Sequence, residues 1–114
     1  MALDLQGTWV LTADFTLDGI VTNPPDQTFT LEFGPLLPSG VFNGHYTNLL
    51  DPSQFVAQVF SSPRGTAISI VQTHAGANYY ATFSGYLVPA NASMIRGAWV
   101  DLEGRKGDFQ LVRL

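Results

Sequence analysis

Apolar side chains recur at every second position along most of this chain, and that period leaves few folds open to it. Gly7, Trp9 and Leu11 alternate with Thr8, Val10 and Thr12, and Phe29, Leu31 and Phe33 alternate with Thr28, Thr30 and Glu32. Successive side chains of a strand point to opposite faces, so this alternation marks strands with one buried face. No segment carries a convincing helical stripe. Between the alternating runs stand NPPDQ, GPLLPSG, NLLDPSQ, SSPRG, HAGAN, VPANAS and LEGRKG, each with the Pro, Gly, Asn or Asp residues that favour turns. These breaks recur about once per 8 to 15 residues, the rhythm of an all-β sandwich or barrel. The spacing predicts strands near 7–13, 28–33, 41–48, 55–61, 66–74, 78–88, 93–101 and 106–113.

Strands joined mostly by short turns pair with their sequence neighbours, and an up-and-down meander of this length can close on itself, which removes both exposed edges. The expected fold class is therefore all-β, an eight-stranded antiparallel up-and-down β-barrel in one domain over residues 1–114. Gly44, Gly85 and Gly97 fall inside predicted strands, where an interior glycine marks a bulge, a bend or a close approach and suits the coiling that closure demands. A two-sheet sandwich is the alternative, with similar strands but longer crossing connections. Only residues 14–27 are long enough for such a crossing, or for a flap over a barrel mouth.

A chain of 114 residues buries roughly two thirds of its unfolded surface and needs no covalent staple. With 46% hydrophobic and 12% charged residues, disorder is excluded and few charges remain to cover the surface. Part of that surface is expected to lie against another chain, in a homo-oligomer of two or four copies. The net charge is -4 and the basic residues Arg64, Arg96, Arg105, Lys106 and Arg113 are scattered apart from one adjacent pair, a poor footprint for nucleic acid or an anionic membrane. The absence of cysteine removes disulfides, thiolate nucleophiles and cysteine metal sites. MALDLQGTWV lacks a basic region followed by a long apolar run, and no stretch approaches the ~18 apolar residues of a membrane span, so a soluble, cytoplasmic protein is the expectation. Asn91-Ala92-Ser93 fits the glycosylation acceptor pattern, a triplet that arises often by chance.

The order and spacing of GTW (7–9), FNGHYTN (42–48), TFSGY (82–86), IRGAW (95–99) and GDFQLVR (107–113) resemble the streptavidin and avidin family of the calycin superfamily over nearly the whole chain. That resemblance implies an eight-stranded barrel with a ligand pocket at one open end, commonly in a dimer or tetramer. It also implies that Trp9 closes the other end, lying across Arg113 of the last strand, with Gly7 admitting the chain to the barrel bottom. A guanidinium over an indole contributes ~0.5 to 2 kcal/mol beyond the apolar burial of the ring. Carried over by position, Tyr46 matches a pocket tyrosine, Asn48 stands where a pocket serine is usual, and Trp99 matches a pocket-wall tryptophan. Leu11 stands where the family carries an asparagine for the ureido oxygen, Gln72 falls near a missing pocket tryptophan, and Phe83 replaces another. Asp108 lies near the family's ligand-binding aspartate, while the alternation Phe109, Leu111, Arg113 turns it outward if the register is one step different. Each lost partner of a buried urea-like group costs ~1 to 3 kcal/mol, so tight biotin binding is not expected.

With Trp9, Tyr46 and Trp99 facing inward, alternation also sends inward Leu11, Phe29, Leu31, Phe33, Phe42, Ile68, Ile70, Gln72, Tyr79, Phe83, Ile95, Phe109 and Leu111. An eight-stranded barrel is just wide enough to be filled by side chains or to hold one small ligand. The expected function is a non-enzymatic barrel binding a small apolar or aromatic molecule at its open end, against Tyr46, Asn48, Gln72, Tyr79, Phe83, Trp99 and Asp108. The alternatives are a filled barrel acting through surface contacts with proteins, and a cyclase or isomerase that folds an apolar substrate inside an aromatic cavity. No catalytic residue, metal site or cofactor is indicated. His45 and His74 lie on different elements without ligand spacing, Asp14, Asp18 and Asp26 sit among turn formers, and GRKG at 104–107 opens a strand rather than a helix. Tyr80, Thr82, Ser84, Tyr86 and Val100 are predicted to point outward, a surface suited to self-association.

Overall fold

The computed structural model describes residues 3–13, 29–74, 76 and 78–114. The stretch 14–27, with Asp14, Asp18 and Asp26, lies outside the described residues, as does Thr28. Eight strands run in chain order: β1 (Gly7–Ala13), β2 (Phe29–Phe33), β3 (Phe42–Tyr46), β4 (Ser53–Ser62), β5 (Gly65–His74), β6 (Tyr79–Val88), β7 (Asn91–Asp101) and β8 (Lys106–Arg113). Each pairs antiparallel with the next, and β1 pairs with β8, so the sheet is a closed up-and-down barrel and not a sandwich. Among the described residues no helix is long and apolar enough to cross a membrane.

Three boundaries differ by two residues from the spacing of the sequence, each beside a polar side chain that accepts a backbone N–H. β3 ends at Tyr46 rather than at residue 48, because Thr47 N–H donates to Thr30 O at 2.9 Å and Asn48 Oδ1 accepts the Thr30 N–H at 3.1 Å. β4 begins at Ser53, two residues early, where Asp51 Oδ1 accepts the Ser53 N–H at 2.8 Å and turns the chain into the strand. β7 begins at Asn91, whose Oδ1 accepts the Ser93 N–H at 3.0 Å, beside a shift of register at Leu87 and Val88.

Closure is sealed at one end by Trp9 and Arg113, which face each other across β1 and β8. Trp9 is fully buried, its Nε1–H donates to Leu5 O at 2.9 Å, and the Arg113 guanidinium lies 4.3 Å from the ring centroid. The same guanidinium donates to Gln6 O at 2.9 Å and to Asp4 O, so the segment before β1 is tied to the last strand. Gly7 has φ 132 and its Cβ position lies 3.1 Å from Arg113 Nη1, so a side chain there would be strained and would press on the seal.

Above this plug the centre of the barrel is dry. Leu11, Leu31, Phe55, Ile70, Phe83 and Leu111 surround a gap too narrow for a water molecule. Phe83 stacks on Trp99 at 6.5 Å and meets Phe109 edge-on at 5.3 Å. Rolling the sheet this tightly needs a close approach at Gly85 and Gly97, which are paired across β6 and β7. A Cβ at Gly97 would overlap the Ser84 carbonyl oxygen, and one at Gly85 the Arg96 carbonyl oxygen. Gly97→Ala is therefore expected to lower stability by at least ~1 to 3 kcal/mol through overpacking. Gly104→Ala, where the Cβ position is open but φ is 83, should cost only about 1 kcal/mol of backbone strain. Urea denaturation of the two variants checks this, and equal midpoints would contradict the close approach.

Candidate functional site

The C-terminal ends of β1, β3, β5 and β7 and the N-terminal ends of β2, β4, β6 and β8 meet at the end of the barrel opposite Trp9. Here the apolar interior gives way to polar groups. Gln72, near the end of β5, is only 9% exposed, and its Nε2 donates to Ser53 Oγ at 3.1 Å and to the Tyr46 hydroxyl at 3.5 Å. Its Oε1 has no hydrogen-bond partner among the described residues. Tyr46 is held in place by Phe55, edge-on at 5.1 Å, and by Phe29 at 5.9 Å. The floor of the mouth thus offers an amide oxygen and two hydroxyls over aromatic walls.

A second cluster stands at the rim. Asp101 closes the β7–β8 turn: Oδ1 accepts the N–H groups of Glu103 at 3.0 Å and Arg105 at 2.9 Å, while Oδ2 accepts from Tyr79 Oη at 3.1 Å and Arg105 Nε at 2.8 Å. Burial opposes the charge of this carboxyl, but the Arg105 backbone, the Tyr79 hydroxyl and the Arg105 guanidinium outweigh it and hold it below the usual aspartate range. The tyrosines move the other way. Burial, with the Asp51 charge second, raises Tyr46 above the ordinary tyrosine range, and burial with the hydrogen bond to Asp101 pushes Tyr79 up to about 12. Both hydroxyls therefore stay protonated at neutral pH and act as donors, not bases. His74 Nε2 lies 3.5 Å from Asp51 Oδ1 on the same rim. Among the described residues no group of three or more His, Cys, Asp or Glu is arranged to hold a metal.

The residues singled out from the sequence separate into five places. Tyr46, Gln72 and Tyr79 are brought together at the mouth. Phe83 and Trp99 face inward but lie within the packed core. Asn48 is exposed and caps the Thr30 backbone rather than facing the interior. Asp108 is exposed on the outer face, because its neighbour Phe109 is the buried member of that alternation. Gly7, Trp9 and Arg113 all stand at the closed end. His45 is exposed beside Glu32 and Gln54, and Tyr80, Tyr86 and Val100 are exposed on the outside at 47%, 46% and 46%.

Sequence reasoning missed Ser53, Asp101 and Arg105. The Asp-x-Ser at 51–53 and the Asp-x-x-Gly at 101–104 carry the signal for local side-chain caps, and nothing in either pattern says that the cap lies in the mouth. Comparison of the chain with protein-family models, with curated proteins and with solved structures finds no match.

A carboxyl whose folded pKa is depressed contributes stability that is present above its unfolded value and lost as pH falls through its folded value. The stability advantage of the native chain over Asp101→Asn is expected to be constant above about pH 5 and to shrink as pH falls below the unperturbed 3.8. Denaturant midpoints of both proteins against pH measure this. A difference that widens on acidification would show that the Asp101 network does not favour the ionised form.

Proposed function

We propose that this chain is a non-enzymatic binding barrel that takes one small, partly apolar molecule at its mouth, on the floor made by Tyr46, Ser53 and Gln72. The carrying observation is Gln72, whose side chain is nearly buried at the top of an apolar core while its amide oxygen, which is not sealed from solvent, has no protein partner among the described residues. An acceptor that meets solvent above an apolar floor is positioned to exchange that water for a donor on a ligand. The tyrosine rings and Phe29 supply the apolar walls. The resemblance to the streptavidin family supports the same end of the barrel as the site. Leu11 lines the dry central gap where that family's asparagine is expected, so the ligand sits shallow and biotin is disfavoured. A cyclase or isomerase needs an internal chamber, and the space between Phe55, Ile70 and Phe83 admits no water.

Ligand binding to the native state alone stabilises it by mass action, by about 2.7 kcal/mol at a hundredfold excess over Kd. A thermal-shift screen of small neutral cyclic amides and aromatic alcohols should yield stabilising compounds whose effect is lost in Gln72→Leu, while 1 mM biotin, a level of about 10³ times a micromolar Kd, gives no shift. Hits that survive Gln72→Leu unchanged would place the site elsewhere.

Self-association is a second reading, supported by the outer face. Val56, Phe60, Val71, Tyr80, Tyr86 and Val100 are each between 38% and 48% exposed on β4–β7, an apolar expanse of the kind that marks interaction surfaces. Sedimentation velocity of the full chain at micromolar concentration is expected to show a species of two or more copies. A monomer throughout would reject this reading and leave the mouth untouched.

A further inference from the structure

One carboxylate stands beside the floor of the mouth without a cation to balance it. Asp51 lies two residues before Ser53, in the connection between β3 and β4, and its Oδ1 accepts the Ser53 N–H at 2.8 Å. Ser53 Oγ in turn accepts from Gln72 Nε2 at 3.1 Å. Ser53 alone therefore separates the exposed carboxylate from the Gln72 amide, a matter of two residue steps and at most roughly 7 Å along the chain. β4 runs from the mouth toward the closed end, so Asp51 stands above the floor, on the rim. Its Oδ2 has no protein partner among the described residues.

The groups around it do not cancel its charge. His74 follows Ile68, Ile70 and Gln72 on the inward row of β5 and sets Nε2 3.5 Å from Asp51 Oδ1, while its Nδ1 is buried without a partner among the described residues. A protonated imidazole is a donor at both nitrogens and this place has an acceptor for one, so the neutral ring fits it and brings no charge to Asp51. Tyr46 beside Gln72, and Tyr79 across the strand pair from His74, are neutral hydroxyls. Across the barrel, in the β7–β8 turn, the Arg105 guanidinium meets Asp101 and Glu103 at 2.8 Å each, so an incoming anion finds two negative charges beside one positive. Lys106, next in the chain, is exposed on the outer face.

A carboxylate with a free oxygen, set above an aromatic wall, complements an ammonium group: charge-assisted hydrogen bonds are about twice as strong as neutral ones, and a cation over a tyrosine face is attracted by the ring as well. We propose that Asp51 makes the mouth selective for cations, its ligand being an amine with an apolar body whose ammonium group pairs with Asp51 on the rim while the body lies on Tyr46 and Phe29. This rests on the reading of the mouth as a binding site and adds the charge of the ligand and the residue that selects it.

Three para-hydroxyphenyl probes of nearly one shape test it on the full chain: tyramine, cationic at neutral pH, tyrosol, neutral, and para-hydroxyphenylacetate, anionic. By nuclear magnetic resonance titration tyramine is expected to bind about three- to tenfold tighter than tyrosol at low salt, with the advantage shrinking as salt is added, and the acetate to bind weakest. Asp51→Asn keeps an oxygen for the Ser53 N–H and removes the charge, so it should bring tyramine to within about twofold of tyrosol and leave tyrosol itself unchanged. Equal affinities for tyramine and tyrosol, tightest binding of the acetate, or a cation preference that survives Asp51→Asn would overturn selection by charge, and the mouth reading stands in each case if binding is lost in a Gln72→Leu variant shown by circular dichroism to be folded. Binding that survives Gln72→Leu, or no binding of any probe, would overturn both.

Discussion

Pairing of the first strand with the last is the constraint on which the rest of this barrel depends. Five residue pairs from Trp9↔Arg113 to Ala13↔Phe109 join β1 to β8, and without them two edges would present unpaired backbone groups to solvent or to other chains. Trp9 and Arg113 stand at the end of that seam. The indole fills the barrel bottom, and the guanidinium covers it while holding the backbone at Asp4 and Gln6. One arginine thus joins the segment before the first strand to the final residues of the chain. Two strand gaps from that seam the wall carries the complementary demand: β6 and β7 approach so closely at Gly85 and Gly97 that neither position has room for a methyl group.

Closure divides the side chains into two populations that cannot exchange. Inward residues are large enough to fill the cylinder, from Trp9 through Phe55 and Phe83 to Phe109, and they leave no room for water at its centre. Polar and solvent-facing groups are then confined to what the packing leaves over, the mouth and the outside. At the mouth the interior row of β5 changes from Ile68 and Ile70 to Gln72 within two residues, and that single change converts an apolar floor into one with hydrogen-bonding capacity. Burying an amide costs free energy unless its groups are paired or solvated; Ser53 and Tyr46 pair the Gln72 nitrogen, and the oxygen is not sealed from solvent. That oxygen is what distinguishes this mouth from the core beneath it.

The barrel was legible because its period is strict: the inward placement of Trp9, Leu31, Phe83 and Trp99 follows from alternation alone, as does the outward placement of Tyr80 and Tyr86. Strand ends were not legible to the same degree. Asn48, Asp51 and Asn91 each use a side-chain oxygen to accept a backbone N–H near a strand terminus, and such caps decide where a ladder starts without altering the period inside it. Asn48 therefore reads as a continuation of the third strand and is in fact a turn residue. Asp108 is a question of parity. Its placement hangs on whether Asp108 or Phe109 is the inward member, and a carboxylate opposite a buried aromatic has only one inexpensive answer, which places the charge in water. Asp101 goes the other way because four donors meet it, and no single-sequence pattern reports the arrival of Tyr79 from a different strand.

β6 couples the two surfaces through its own alternation. Tyr79 opens the strand at the mouth and donates to Asp101, Tyr80 next to it is on the outside, Phe83 packs in the core, and Tyr86 rises from the outer face. A close-packed interior has low compressibility, so β6 behaves as a stiff member between a mouth group and an outer ridge. The few charges of the chain fit the same division. Arg105 neutralises Asp101 at the rim and Arg113 serves the closed end, while Arg96, Lys106 and Asp108 stand on the outer face among small and apolar side chains. Apolar side chains supply attraction without direction, so on the outside, as at the mouth, direction comes from the few polar and charged groups.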